Sequence, residues 1–186
     1  MLEERSEQLY RDIPESQRER LRDFWWAHPC RTQVVGDTTW RYLEGGKGQR
    51  LVLLIPGGYL PAQFWFGVIE ELEPEVHIIA TDAPACLGLL DPRRVAESLA
   101  SLIDALGAYG AAVVAHGEAG LAAQCLLEAY PHRVQALALV NSPLLDPRTG
   151  ADAMSRVTGW LAERLPWAWF GAKVSGTLVH SLPCTT

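Results

Sequence analysis

The chain has 186 residues, of which 48% are hydrophobic and 20% charged. That composition fits one globular domain and excludes a disordered protein. A formal charge of −6 gives no basic footprint for displacing counterions, so a nucleic-acid partner is not expected.

Residues 1–32 read as a charged N-terminal helical extension. The opening MLEERSEQLYRD has no apolar core of the kind a signal peptide carries. Leu2, Leu9, Tyr10 and Ile13 loosely follow a helix face, and Pro14 breaks it. Ser16 is expected to cap a second, amphipathic helix running to about Trp26. Phe24, Trp25 and Trp26 then either pack on the domain or form an arm that meets a partner or a membrane surface.

Residues 33–145 carry the core. Thr32–Val35 and Thr38–Leu43 predict two strands joined at Gly36-Asp37, a dipeptide suited to tight hairpins. Gly45-Gly46-Lys47-Gly48 is a second turn. Leu51–Ile55 is continuously apolar, as in a strand buried on both faces. Phe64–Leu72 predicts a helix, Val76–Ala80 a buried strand, and Arg93–Leu106 a helix opened by Asp91-Pro92. Ala111–Ala115 predicts a third buried strand, Gly120–Tyr130 a helix and Ala136–Val140 a fourth buried strand. This alternation predicts an α/β fold, a three-layer sandwich with a mostly parallel sheet, an antiparallel edge and helices on both faces. No run reaches the roughly 20 apolar residues of a membrane-spanning helix.

In such sheets, sites lie at the carboxyl ends of the strands. Three loops qualify: Pro56-Gly57-Gly58-Tyr59, Thr81-Asp82-Ala83-Pro84, and the run from Ala115 to Gly120. The third is the informative one. Ala115, His116, Gly117, Glu118 and Ala119 stand between a buried strand and a helix. They match the small-x-nucleophile-x-small frame of a nucleophile elbow, with Gly117 at the nucleophile position.

These stretches resemble the α/β-hydrolase superfamily over roughly residues 33–145. VVAHGEAGLAAQCLLEAYPHRVQALALVNSP looks like the elbow, its helix and the next strand. LVLLIPGG resembles the strand and oxyanion turn, with Pro56-Gly57 in place of the usual His-Gly, and HIIATDAPACLG resembles the following strand and loop. DTTWRYLEGGKGQRLVLLIPGG is similar to the entry of maspardin-type proteins. TDAPA, the glycine elbow and SRVTGWLAERLP are similar to the N-myc downstream-regulated family, a non-catalytic branch. The resemblance implies that the amides of Gly58 and Glu118 stand where active relatives bind an oxyanion. It also implies that residues 146–186 begin a cap and run into an irregular tail, so that the chain stops before the acid and catalytic histidine of the family.

Glycine has no nucleophilic atom, so acyl transfer through position 117 is excluded. The weak substitutes are Ser142, expected to bond locally in its turn, and Glu118, expected to be solvated or to cap the helix. His116 matches a residue that is structural in the family. Asp82 is expected to make a turn hydrogen bond, with ligand contact as the alternative. A pocket of Gly58, Glu118, His116 and Asp82 would take a small carbonyl or anionic ligand, although the Glu118 carboxylate opposes an anion.

No phosphate-binding glycine motif is present, and the histidines lack metal-ligand spacing, so neither cofactor nor metal is expected. Cys30, Cys86, Cys125 and Cys184 form no CxxC pair, which fits reduced thiols in a cytoplasmic protein. Residues 151–174 predict amphipathic helices, and Trp160, Trp167 and Trp169 are candidates for a partner surface. The leading expectation is a non-catalytic hydrolase-fold protein, lacking the serine nucleophile, that acts as a binding or adaptor module for a protein partner or for a second copy of itself. The alternative is a divergent or truncated hydrolase acting on an ester or related carbonyl.

Overall fold

The computed structural model describes residues 14–58, 60–82 and 91–145. Strands β1 (Arg31–Val35), β2 (Thr38–Gly45), β3 (Leu51–Ile55), β4 (His77–Thr81), β5 (Ala111–His116) and β6 (Val134–Val140) form one sheet in the order β1-β2-β4-β3-β5-β6. β1 and β2 pair antiparallel, as do β2 and β4, and the remaining pairs are parallel. The predicted mixed, mostly parallel sheet is therefore what the chain forms.

Helices α1 (Glu15–Ala27), α2 (Phe66–Leu72), α3 (Pro92–Ala105) and α4 (Ala119–Ala129) cover both faces. The alternation of side chains along a strand divides the interior into two cores. Leu51, Leu53 and Ile55 of β3 join Ile79, Val113, Ala115 and the buried residues of α3 and α4. Val52 and Leu54 point the other way, to Ile78, Ala80, Trp65, Ile69 of α2 and Phe24 of α1. All five residues of β3 are buried, which is why its sequence is apolar without a break.

Two helix starts show how local chemistry sets the ends. Asp91 caps α3, its carboxylate accepting from the Arg93 N–H at 3.0 Å, with Pro92 as the first helical residue. α1 differs from the expectation. It begins at Glu15, and Pro14, not Ser16, is its cap. The Pro14 carbonyl accepts from the amides of Gln17 and Arg18 at 2.9 and 3.1 Å, and no side chain caps the end. Proline pre-sets its own φ near the helical value, so it opens the helix instead of stopping the chain short of it.

α1 packs on the second face. Phe24 is buried and meets Phe66 edge-on at 5.0 Å, Arg20 lies over the Phe66 ring and pairs with Glu70, and His28 reaches Glu73 at 2.7 Å. Trp25 is half-buried and Trp26 is 83% exposed, so the aromatic triplet divides between packing and solvent.

Two further expectations change. The helix predicted over Phe64–Leu72 is a 3-10 turn (Ala62–Trp65) followed by the short α2, because Asp82 captures the Ala62 amide and fixes the turn's start. The strand predicted as buried, Ala136–Val140, lies in β6, an outer strand paired only with β5 among the described residues. Leu137 and Leu139 pack on the core, whereas Ala136, Ala138 and Val140 are exposed. An apolar run with alanine at alternate positions serves a one-faced strand as well as a two-faced one. Among the described residues, no helix is long and apolar enough to cross a membrane.

Two buried groups give the fold a pH dependence. Burial pushes the Tyr42 phenol above its usual value, with Glu44 adding to the shift and Arg31 opposing it. Burial pushes the Cys125 thiol up too, with Arg93 opposing and Glu128 and Asp91 adding. A proton held more tightly in the folded state stabilises fully below the unfolded pKa and less as pH rises above it. Urea midpoints are therefore expected to fall as pH passes about 8.5 for the thiol and about 10 for the phenol. Cys125→Ala should remove the lower part of that fall, which a urea series across these pH values would read.

Candidate functional site

β3 and β5 run side by side and in parallel, with Ile55 opposite Ala115, so the loops that follow them meet at one end of the sheet. The turn after β3 is Pro56-Gly57-Gly58, and the turn after β5 is the elbow at Gly117. Gly117 adopts φ +59°, its amide donates to the Val140 carbonyl at 3.0 Å, and its carbonyl accepts from Gly120 at 3.1 Å. α4 starts immediately after it. The predicted strand–elbow–helix geometry is present with glycine at its tip.

The two turns touch through glycines. A Cβ on Gly57 would stand 2.5 Å from the His116 carbonyl oxygen and 3.1 Å from the Gly117 Cα. Gly58 sits at φ +63°, a conformation that favours glycine. The Glu118 carboxylate lies against both residues. Its Oε2 is 3.0 Å from the place of a Gly57 Cβ, and its Oε1 is 3.3 Å from that of Gly58. Glu118 precedes α4 as its cap residue, but its side chain makes no capping hydrogen bond. Of the two roles expected for it, the solvated one fits its exposure.

His116 turns its ring to the aromatic turn, 5.0 Å from the Phe64 centroid and 6.5 Å from that of Trp65. Its Nδ1 and the indole Nε1 of Trp65 are both buried without a hydrogen-bond partner. Asp82 bonds to groups distant in the chain. Its Oδ1 accepts from the Ala62 amide at 2.8 Å, and Arg41 approaches Oδ2 at 3.4 Å. Asp82 thus holds the turn that carries Phe64 and Trp65, one step removed from the elbow.

Ser142 lies on the other side of the α4 start. Its hydroxyl is 3.2 Å from the carbonyls of both Ala115 and Val140, so it is engaged with main chain both two residues back and across the sheet end. A Cβ on Gly120 would stand 2.4 Å from the Ser142 Cβ, which explains a glycine inside the first turn of a helix. Gln124 binds the segment that follows, donating to the Pro143 carbonyl and accepting from the Leu145 amide, both at 2.9 Å.

The structure therefore brings Gly58, His116, Gly117 and Glu118 together and leaves Asp82 and Ser142 at the margins. Phe64 and Trp65 belong to the corner without being candidates from sequence, and Gly57 enters it from a loop that the sequence does mark. The signal for Gly57 was the doubled glycine at a strand end. Trp160, Trp167, Trp169, Tyr59, Ala83 and Pro84 lie outside the described residues. Among the described residues, no group of three or more His, Cys, Asp or Glu side chains could hold a metal ion.

No known protein family's sequence profile matches the chain, and no curated protein matches it. Solved structures do. An epoxide hydrolase mutant of Vigna radiata is 26% identical with a TM-score of 0.60, over 71% of this chain and 45% of its own. A membrane phospholipase A described as a bacterial virulence factor is 24% identical with a TM-score of 0.61, over 71% and 45%. A Nostoc sp PCC 7120 protein assigned to the α/β hydrolases is 21% identical with a TM-score of 0.55, over 62% and 43%. The matched residues span less than half the length of each of these structures. The sheet order, the elbow between β5 and α4 and these likenesses agree: this chain has the α/β-hydrolase fold.

Proposed function

We propose that this chain is a non-catalytic α/β-hydrolase-fold protein that acts by binding. The observation that carries the reading is Gly117. The elbow is formed, its tip faces the turn of Gly57 and Gly58, and the residue at the tip has no atom able to attack a carbonyl. Losing one member of a catalytic triad removes several orders of magnitude of rate. Ser142 is a poor replacement, because its hydroxyl already points at two main-chain carbonyls. The reading places the chain beside the maspardin-like and N-myc downstream-regulated branches that its sequence resembles. A cytoplasmic location and a partner surface including Trp160, Trp167 and Trp169 belong to the same proposal, as does the division at residues 32 and 145.

A second reading, hydrolysis of an ester or related carbonyl, draws on the epoxide hydrolase and phospholipase among the similar structures. One experiment separates the two. Purified protein is treated with a fluorophosphonate probe and assayed beside it with a short-chain chromogenic ester. The binding reading expects no labelled serine and no turnover above buffer. Labelling at one serine, with turnover lost when that serine becomes alanine, would overturn it and name the nucleophile.

A further inference from the structure

We infer that the N-terminal helix is fastened to the body by a proton held at the contact of His28 with Glu73, so that acid docks α1 and alkali loosens it. The inference concerns regulation, goes beyond the binding reading and stands or falls apart from it.

The donors and acceptors at the ring lead to it. His28 follows α1 as its C-cap residue, and its side chain is only 5% exposed. Its Nδ1 lies 2.9 Å from the Phe24 carbonyl oxygen, and its Nε2 lies 2.7 Å from Glu73 Oε2. A carbonyl and a carboxylate only accept, whereas a neutral imidazole has one N–H and one bare lone pair. Either neutral tautomer therefore turns a lone pair toward an oxygen lone pair at hydrogen-bond distance. Both contacts are bonds only when the pair holds one proton more than a neutral ring and a carboxylate carry between them. The surroundings favour the ring as its place. The imidazole stacks on Phe24 with centroids 4.2 Å and planes 27° apart, and an aromatic face attracts a cation. The ring also stands at a helix C-terminus, where the last carbonyls favour positive charge. Burial disfavours that charge, and the two oxygens the ring touches offset the burial.

The contact matters because α1 has few other ties. It has 13 residues, a length that is marginal in water without tertiary packing, and Phe24 is the buried residue within it. Arg20 lies over the Phe66 ring and pairs with Glu70, an exposed pair of the kind that contributes little. Glu73 is the cap residue of α2, so His28 joins the end of one helix to the end of the other. The end of β2 closes the place from the side, with a Cβ on Gly45 falling 3.0 Å from Glu73 Oε2 and 3.2 Å from His28 Nε2. The charges on the neighbouring strands pair with one another. Arg31 of β1 meets Glu44 of β2 at 2.6 Å, and His77 of β4 meets the same carboxylate at 2.8 Å. Glu73 is thus the charged group bonded to the ring. When the extra proton leaves, one of the two bonds becomes a repulsion and the tie to α2 weakens. Undocking then frees Phe24, Trp25 and Trp26 together and uncovers the Phe66 ring that Phe24 meets.

The test is amide hydrogen exchange of the full chain from about pH 5 to about pH 8, the span in which histidine is the side chain that changes charge. Rates are corrected for the intrinsic pH dependence of exchange. Amides of residues 21–27 read the opening of α1, and those of Leu53 and Leu54 in β3 read the whole fold. Protection of residues 21–27 relative to β3 is expected to fall at least about tenfold across that span, the ratio that a hydrogen bond to a charged group is worth. Glu73→Gln is the decisive variant. Its amide group donates to a bare Nε2, so a neutral ring keeps both bonds and needs no extra proton. In that variant α1 should stay protected and the pH dependence should vanish. His28→Gln should be flat as well, with weaker protection throughout, and it carries the test on its own if Glu73→Gln does not fold. Flat protection in the wild type would overturn the inference. So would a wild-type slope in either variant, since the titrating group would then lie elsewhere. A serine labelled by fluorophosphonate would overturn the non-catalytic reading and leave the exchange result standing.

Discussion

Gly46→Ala is expected to lower the stability of the fold by about 3 kcal/mol, whereas Gly36→Ala lowers it by about 1 kcal/mol. Both glycines lie in turns with positive φ, +68° for Gly46 and +55° for Gly36. A left-handed conformation costs an L-residue roughly 1–2 kcal/mol, and both variants carry that term. They differ in what surrounds the new methyl group. Nothing lies within 4 Å of a Cβ on Gly36. A Cβ on Gly46 would stand 2.0 Å from the Val76 carbonyl oxygen and 2.5 Å from that of Glu73. Those atoms belong to the backbone linking α2 to β4, which cannot rotate aside as a side chain can. Gly48 meets the same segment, with the Glu75 carbonyl oxygen at 2.3 Å from its Cβ position. Relief therefore requires the whole β2–β3 turn to lift, which draws Gly45 off the His28–Glu73 pair beneath it. Urea unfolding of the two variants checks this, since a change in midpoint at constant slope reads stability directly. Equal losses would show that the turn is not packed as described.

Much of this architecture is legible in the sequence. Leu51–Ile55 is apolar at every position because both of its faces are covered, and Asp91-Pro92 opens α3 because a carboxylate and a preset φ suit a helix start. Such signals are local, so sequence carries them. The misses depend on what packs from a distance. Nothing within residues 62–72 says that Asp82, 20 residues on, will take the Ala62 amide and divide one expected helix into a turn and a shorter helix. Nothing within Ala136–Val140 says that one face of β6 stays exposed among the described residues. Residue type marks Ser16 as a cap, whereas Pro14, two residues before it, starts the helix through its backbone.

The site divides in the same way. The elbow frame from Ala115 to Ala119 is a local pattern, and the structure forms it. That Glu118 turns back onto Gly57 and Gly58, and that His116 faces Phe64 and Trp65, are contacts across 51 to 61 positions of chain. They arise because β3 and β5 are neighbours in the sheet, which no spacing within either loop encodes.

Gly57→Ala is the second large effect, and its comparison with Gly117→Ala bears on why the nucleophile is missing. A methyl group on Gly57 would collide with the His116 carbonyl oxygen at 2.5 Å and crowd the Gly117 Cα at 3.1 Å and the Glu118 carboxylate at 3.0 Å. Overpacking of this kind costs about 1–3 kcal/mol, and here it should also push the turn away from the elbow. A methyl group on Gly117 meets nothing nearer than the Gly57 Cα at 3.6 Å, which is ordinary contact. That variant should lose only the roughly 1–2 kcal/mol of left-handed strain. The double variant should lose more than the sum, because each new methyl group projects toward the other residue, and residues in contact do not add. Additive losses in urea would show that turn and elbow are independent, and the Glu118 contact would then lack its base. If the asymmetry holds, the conclusion concerns the elbow itself. The space at position 117 admits a side chain, and elbows of this fold that carry a serine accept the same strained turn. Glycine at the tip is therefore not imposed by packing. The fold around it would hold a nucleophile, and the sequence does not place one there.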